Sequence, residues 1–449
     1  MKRLLLTTIV TAALAAATAL PAHATLGQRY PSERKIVTDK VTGRKLILLT
    51  NGTVSDSKEY QTDQQWAFDG KHIIFRSGKR AKDEGGQIFS IDENTGDIVQ
   101  LTEGKGVGIG SIMVSRLSNR IYYTRKLEND RLALESLELT PILNDAMMGK
   151  LTGKPYEKQV ALLPEGFILS GGFTIDADGK TAYFGFRDEP VPERSEPLPP
   201  GQKPPVVEGP GGLLAMDLAT GATRQVVHTN FTVGHIQANP FKPGEILYCH
   251  ETGGDADFRM WVVNADGTGN RPVYNEGPDD WVTHEQFADA DHVIFNMMAH
   301  TTKLRRRPSG IFVISLRDGT MENLGQVPEK LPDPVTTPRT GPNSFWHNGV
   351  TYDGKWAAGD DFDGNLWLIN RGNGARTRIS AGHYMKPDHI HPSFSADGTR
   401  ILFQSGMLTK GERQSLIIIP VGDLTHPKAA AKKTSASIPT AAAASSKTR

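Results

Sequence analysis

Apolar and polar positions along this chain recur as pairs of short alternating runs joined by tight turns. QQWAFDGKHIIF (64–75), FTIDADGKTAYF (173–184), VTYDGKWAAG (350–359) and HPSFSADGTRILF (391–403) share one design. Each passes from a polar start through an alternating strand and an Asp-Gly turn into an apolar strand. Weaker copies are MVSRLSNRIYY (113–123), NPFKPGEILY (239–248) and EQFADADHVIF (285–295). Asp-Gly or a relative between two such runs predicts a hairpin, because those turns need positive φ. A second hairpin follows at similar spacing, as in IFSIDENTGDIVQLT, LLAMDLATGATRQVV, MWVVNADGTGNRPVY, IFVISLRDGTMENLG and LWLINRGNGARTRIS. Four strands in a unit of about 40–55 residues make one propeller blade.

The repeat predicts an all-β chain folded as a seven-bladed β-propeller of four-stranded antiparallel blades. Its units start near Gln61, Gly110, Gly172, His235, Thr283, Phe345 and His389. Six and eight blades are the neighbouring alternatives. The last unit lacks a strand, and KIVTDKVTGRKLILLTNG (35–52) supplies a spare hairpin. Pairing these N-terminal strands with the last blade closes the ring and removes two open sheet edges. Pro-rich inserts in the third unit and after the fifth fall where loops absorb them.

The two ends change the picture. Lys2 and Arg3, an apolar stretch from Leu4 to Leu20 and Ala22-His23-Ala24 read as a cleavable signal peptide over 1–24. The apolar part is short for a span, and no later segment is apolar enough to cross a bilayer. The expected location is the periplasm or the cell exterior. Residues 428–449 are Ala, Ser, Thr and Lys with little to bury, which predicts a disordered tail. The propeller itself then covers 25–427. Setting aside both ends leaves 44 of the 51 basic residues against 50 acidic ones, so the core is mildly acidic. That argues against nucleic acid as partner. The single cysteine, Cys249, excludes an intrachain disulfide, and burial alone must hold the fold.

Aligning the units on their turns places His284, His347 and His391 at one position, just before the first strand. His389 lies two residues earlier than His391, on the same face if strand alternation holds there. In the fourth unit the matching pair is His235 and Gln237. First strands line the channel of a propeller, so these side chains converge at one end of it. Imidazoles that converge suit a divalent transition metal, and His284, His389 and His391 make a three-ligand site with open positions. His347 aligns with them but has no companion motif. Each histidine taken singly reads as a strand cap. His72, His250, His292 and His300 fall in or after later strands and read as structural or surface residues. The acidic run at Asp360, Asp361 and Asp363 reads as a turn. For Arg76, Arg125 and Arg187, after second strands, a channel-facing role competes with surface exposure, which is the expected placement.

GHIQANPFKPGEILYCHE (234–251), RMWVVNADGTGNR (259–271), WVTHE (281–285) and HIHPSFSADGTRILF (389–403) resemble the oligogalacturonate lyases of polysaccharide lyase family 22. RYPSERKIVTDKVTGRKLILLT resembles the start of those proteins, and the likeness runs from about Arg29 to Leu424. The resemblance implies a seven-bladed propeller with a manganese ion in its channel, cleaving short oligogalacturonides by β-elimination to unsaturated monouronates. By motif it implies His284, His389 and His391 as metal ligands and His235 as the base that abstracts the proton. The family's glutamine ligand falls at Lys386, and an ammonium cannot ligate a cation. Either the metal has three protein ligands, or Gln237 substitutes, or the chemistry has drifted; Lys386 then becomes a candidate partner for the substrate carboxylate. The export signal also departs from the better-known cytoplasmic members.

The chemistry implied is physically coherent. The proton at C5 of a uronide is made less acidic by its ionised carboxylate, and a divalent cation with Arg or Lys neutralises that charge. Histidine, with an unperturbed pKa of about 6.5, suits the base. A G-x-S-x-G elbow and nucleotide-binding fingerprints are missing from the sequence, which disfavours a propeller-bearing peptidase or a nucleotide enzyme. The competing class is a non-catalytic, TolB-like periplasmic propeller that binds a glycan or protein. The repeat fits both classes; the histidine ring favours the lyase. Oligomeric state is not legible.

Overall fold

In the computed structural model the described residues are 26–81, 85–151, 155–192, 206–254, 256–299, 304, 308–328, 344–384 and 388–427. The expected signal peptide, the expected tail and Lys386 lie outside them, as does His300. Among the described residues there is no helix long and apolar enough to cross a membrane.

The strands form seven antiparallel sheets in chain order, five of four strands and two of five. The fifth strands come from the N-terminus. Lys45–Leu48 pairs with Ser415–Pro420 and carries Lys35–Thr38 on its outer side, so the last sheet holds strands from both ends of the chain. Arg29–Tyr30 adds an outer edge to the first blade by pairing with Ile98–Gln100. The ring is thus closed by N-terminal strands, as the spare hairpin predicts. Arg80 reinforces the seam: its guanidinium reaches Asp56 at 2.5 Å and Glu33 at 2.8 Å, tying the N-terminal segment to the first blade.

Burial follows from period-two alternation. In His72–Ser77, Ile73 and Phe75 face the seventh blade, in a cluster with Leu402, Leu416 and Ile418. Ile74 between them faces the second blade, with Ile112, Ile121 and Tyr123. Seven apolar clusters repeat this arrangement, one between each pair of neighbouring blades. Each blade therefore buries both faces, and its inner strand is left to line the channel.

One element departs from the repeat. Leu139–Met148 forms a helix between the third and fourth strands of the second blade. Leu139, Ile142, Leu143 and Ala146, at helical spacing, pack onto the cluster between blades one and two. Gly149 ends it at φ 64°, the left-handed conformation common after a helix. A strand-period reading misses this insertion because its apolar positions change from every second residue to every third or fourth.

Candidate metal and base site

The inner strands break their pairing at one level of the channel. In the fourth blade Gly234 pairs with Cys249 and Gln237 with Leu247, so His235 and Ile236 together face one partner residue. The same two-against-one bulge holds His284 and Glu285 in the fifth blade and Trp346 and His347 in the sixth. In the second and third blades the breaks fall at Gly108/Ile112 and Leu169/Phe173. A bulge unpairs the strand and turns its residues toward the rim.

Histidine occupies backbone positions there that favour glycine. His235, His284, His389 and His391 have φ of 45°, 57°, 42° and 49°, whereas the third blade has Gly171 and Gly172 at 70° and 83°. A non-glycine residue in that region costs about 1–2 kcal/mol. Four such residues at one site show side-chain chemistry outweighing backbone preference. The positive φ also corrects the alternation argument for His389 and His391. They precede the short strand Ser393–Phe394, and left-handed backbone, not period two, brings both rings inward. Gln404 secures the turn by donating Nε2 to the carbonyls of Asp388 and His389.

The imidazoles converge. Ring centroids of His347 lie 4.1 Å from His391, 4.4 Å from His284 and 5.6 Å from His389. One nitrogen each from His347, His389 and His391 lies within 4.8 Å of the others. His347, aligned by the repeat but without a companion motif, is therefore central. It is fully buried, and its Nδ1 meets Asp360 Oδ2 at 2.9 Å. Asp360 sits opposite the bulge and also accepts the backbone N–H of His347 at 3.0 Å. The acidic run is a strand end, Trp356–Asp361, and not only a turn. Asp361 serves the fold, accepting from Asn365 and the Trp367 indole.

Electrostatics favour neutral imidazole. Burial, then the charge of His347, pushes His284 well below its usual pKa, and burial with His347 and Lys58 does the same to His391. Nδ1 of His284 is buried without a hydrogen-bond partner among the described residues. Neutral imidazoles with an unpaired nitrogen and a carboxylate behind one ring are what a transition-metal site requires. The donors therefore fit a divalent cation. Trp346 walls the site beside His284, with centroids 5.3 Å apart.

His235 stands next to this cluster rather than in it. The Tyr60 ring lies between them, 4.9 Å from His235 and 4.9 Å from His391. Nδ1 of His235 is 3.3 Å from Glu285 Oε1, and Nε2 is 3.4 Å from Glu251 Oε2. Gln237 is placed differently. Its Nε2 donates to the carbonyls of Glu285, at 2.8 Å, and His235, at 3.3 Å, binding two bulges together. It lines a chamber of about 650 Å³ toward the turn end of the channel, with Gln61, Arg116, Gln286 and Tyr352. The other residues considered are structural. His72 and His292 bond to Asp69 and Asp289, and His250 meets Glu208 under Phe231. Arg76, Arg125 and Arg187 are not free surface residues, since each donates to carbonyls beyond its own strand, such as Ile109, Glu103 and Val207.

The sequence reads Asp360 only as part of a turn and does not single out Glu285, Arg259 or Tyr60. The available signal was positional: Glu285 follows an aligned histidine, and Asp360 ends an otherwise apolar strand.

The chain is similar to known proteins over most of its length. The family model described as oligogalacturonate lyase matches residues 206–333. The oligogalacturonide lyase of Pectobacterium atrosepticum is 24% identical over 395 residues, covering 84% of this chain and 94% of the relative. The oligogalacturonate lyase of Dickeya dadantii is 25% identical over 400 residues, covering 82% and 91%. A solved oligogalacturonate lyase in complex with manganese superposes with a TM-score of 0.68 at 22% identity, covering 88% of this chain and 98% of that one. The enzyme of that name from Vibrio parahaemolyticus gives 0.66 at 18% identity, covering 88% and 99%. The chain is thus similar to oligogalacturonate lyases along nearly the whole propeller, with the family model matching its middle third.

Proposed function

We propose that this protein is a metal-dependent lyase that cleaves short oligogalacturonides by β-elimination, releasing unsaturated monouronates. The convergence of His284, His347, His389 and His391 beside His235 carries this reading. His347, His389 and His391 would hold a divalent cation such as manganese, with His284 at their side. A cation there neutralises the uronate carboxylate and so eases loss of the C5 proton. His235 takes that proton, being one quarter exposed and set apart from the cluster. Asp360 fixes the tautomer of His347, and Trp346 limits water at the mouth. Gln237 ties two bulges together through its Nε2, which leaves Oε1 as the atom through which it would ligate. Lys386 retains its proposed role as carboxylate partner on motif position alone.

The ultraviolet absorbance of the unsaturated product, followed with trigalacturonate and the purified protein, tests this. We expect turnover with manganese, loss with chelator and recovery on adding metal back. Silence under every metal condition would leave a glycan-binding propeller. A His235→Ala protein with full turnover would remove the base assignment alone. We further propose that residues 1–24 direct export and that 25–427 form the mature propeller followed by a tail. A mature protein recovered from the cytoplasm with Met1 intact would refute the export reading.

A further inference from the structure

His235 is held from behind by a buried ionic group that the proposed reaction has not yet used. Glu285 is the second residue of the fifth-blade bulge, and it is fully buried. Arg259, itself 3% exposed, places Nε 3.2 Å from Glu285 Oε2. The other carboxylate oxygen faces Nδ1 of His235 at 3.3 Å. A dry carboxylate with a guanidinium on one side and an imidazole on the other is a fixed negative pole. Glu251 completes the group from the solvent side, with Oε2 3.5 Å from Arg259 Nη2 and 3.4 Å from His235 Nε2. Its approach needs Gly234, where a Cβ would lie 2.8 Å from that of Glu251.

We infer that Glu285, clamped by Arg259, is a positioning residue that keeps the proton of His235 on Nδ1 and leaves Nε2 as the basic nitrogen. The inference rests on His235 being the base, and the geometry gives the reason for the arrangement. Only one nitrogen of a neutral imidazole accepts a proton, and the hydrogen bond made by the other decides which. Both ring nitrogens face a carboxylate, which accepts but does not donate. Glu285 is fully buried and fixed by Arg259, whereas Glu251 stands one fifth exposed on the solvent side, so Glu285 is the one that selects, favouring Nδ1–H. In the elimination the C5–H bond breaks and its proton goes to Nε2. The electron pair forms the C4–C5 double bond as the C4–O bond breaks, and the departing oxygen takes a proton from solvent. The imidazolium left behind faces Glu285, which stabilises it where charge develops.

The test uses the full chain with manganese and compares wild type, Glu285→Gln and Glu285→Asp. We expect Glu285→Gln to lower kcat by about 100-fold or more. KM and calorimetric manganese affinity should stay within about threefold, and Glu285→Asp should recover part of kcat. Imidazole 15N spectra, with His235 assigned by its loss in His235→Asn, read the tautomer without any turnover. Wild type should show Nδ1 protonated and Nε2 bare, and Glu285→Gln should shift toward the other form. Unchanged kcat in Glu285→Gln, or an Nε2–H form in wild type, overturns the inference. Loss of kcat together with manganese binding also overturns it, because Glu285 would then act on His284. An inactive wild type with the expected tautomer sinks the lyase reading and spares the positioning role.

Discussion

Asp360 accepts the backbone N–H of His347 at 3.0 Å and meets its Nδ1 at 2.9 Å, across the sixth-blade bulge. The carboxylate thereby sets the ring's orientation and presents Nε2 to His389 and His391. The pair sits at the bottom of the histidine cluster with no exposure at all.

Removing that support should weaken metal binding without dismantling the propeller. Asp360→Asn is expected to reduce manganese affinity by about 10–100-fold. Calorimetric titration measures it, with thermal unfolding as the control for integrity. Affinity equal to wild type would mean that Asp360 serves packing only.

The left-handed histidines give a second expectation. At His389, with φ 42°, glycine should be tolerated better than alanine, by about 1 kcal/mol. Both variants remove the same imidazole, so their difference isolates the backbone. Urea unfolding of the pair checks it, and an alanine variant as stable as the glycine one would contradict the strain.

The ring seam is open to test at Arg80. Arg80→Met leaves Asp56, which is fully buried, without its cation and also frees Glu33. Breaking a buried pair from one side costs about 3–5 kcal/mol. A shift of the urea midpoint worth less than about 1 kcal/mol would show that the strand pairing at Leu48 and Ile417 holds the seam alone.

Acid should loosen the sixth-to-seventh blade junction. Burial pushes His383 down to about 4, and its ring bonds to the Ser405 and Ser380 hydroxyls. Its folded pKa is below the unfolded value of 6.5, so the unfolded chain binds more protons between the two. This contribution is complete above pH 6.5 and is lost as pH falls toward 4, at most on the order of 3 kcal/mol. His383→Asn should flatten the pH dependence of stability in that window by about one proton. An unchanged slope would place the acid sensitivity elsewhere.

Much of this molecule is legible in one dimension. The Asp-Gly hairpins repeat because turns need positive φ, and that period yields seven blades, their order and the spare N-terminal hairpin. Alignment on the turns likewise finds His235, His284, His347, His389 and His391, because equivalent positions in a ring face one axis. Tertiary structure alone decided which imidazoles share a point. His347 stands among them with Asp360 behind it, and the amide of Gln237 donates to two carbonyls of neighbouring bulges. Glu285 meets Arg259 and His235 only where neighbouring blades abut. A repeat fixes positions along its own strand. The partner across a blade boundary depends on bulges that change register by one residue, and no local pattern records that.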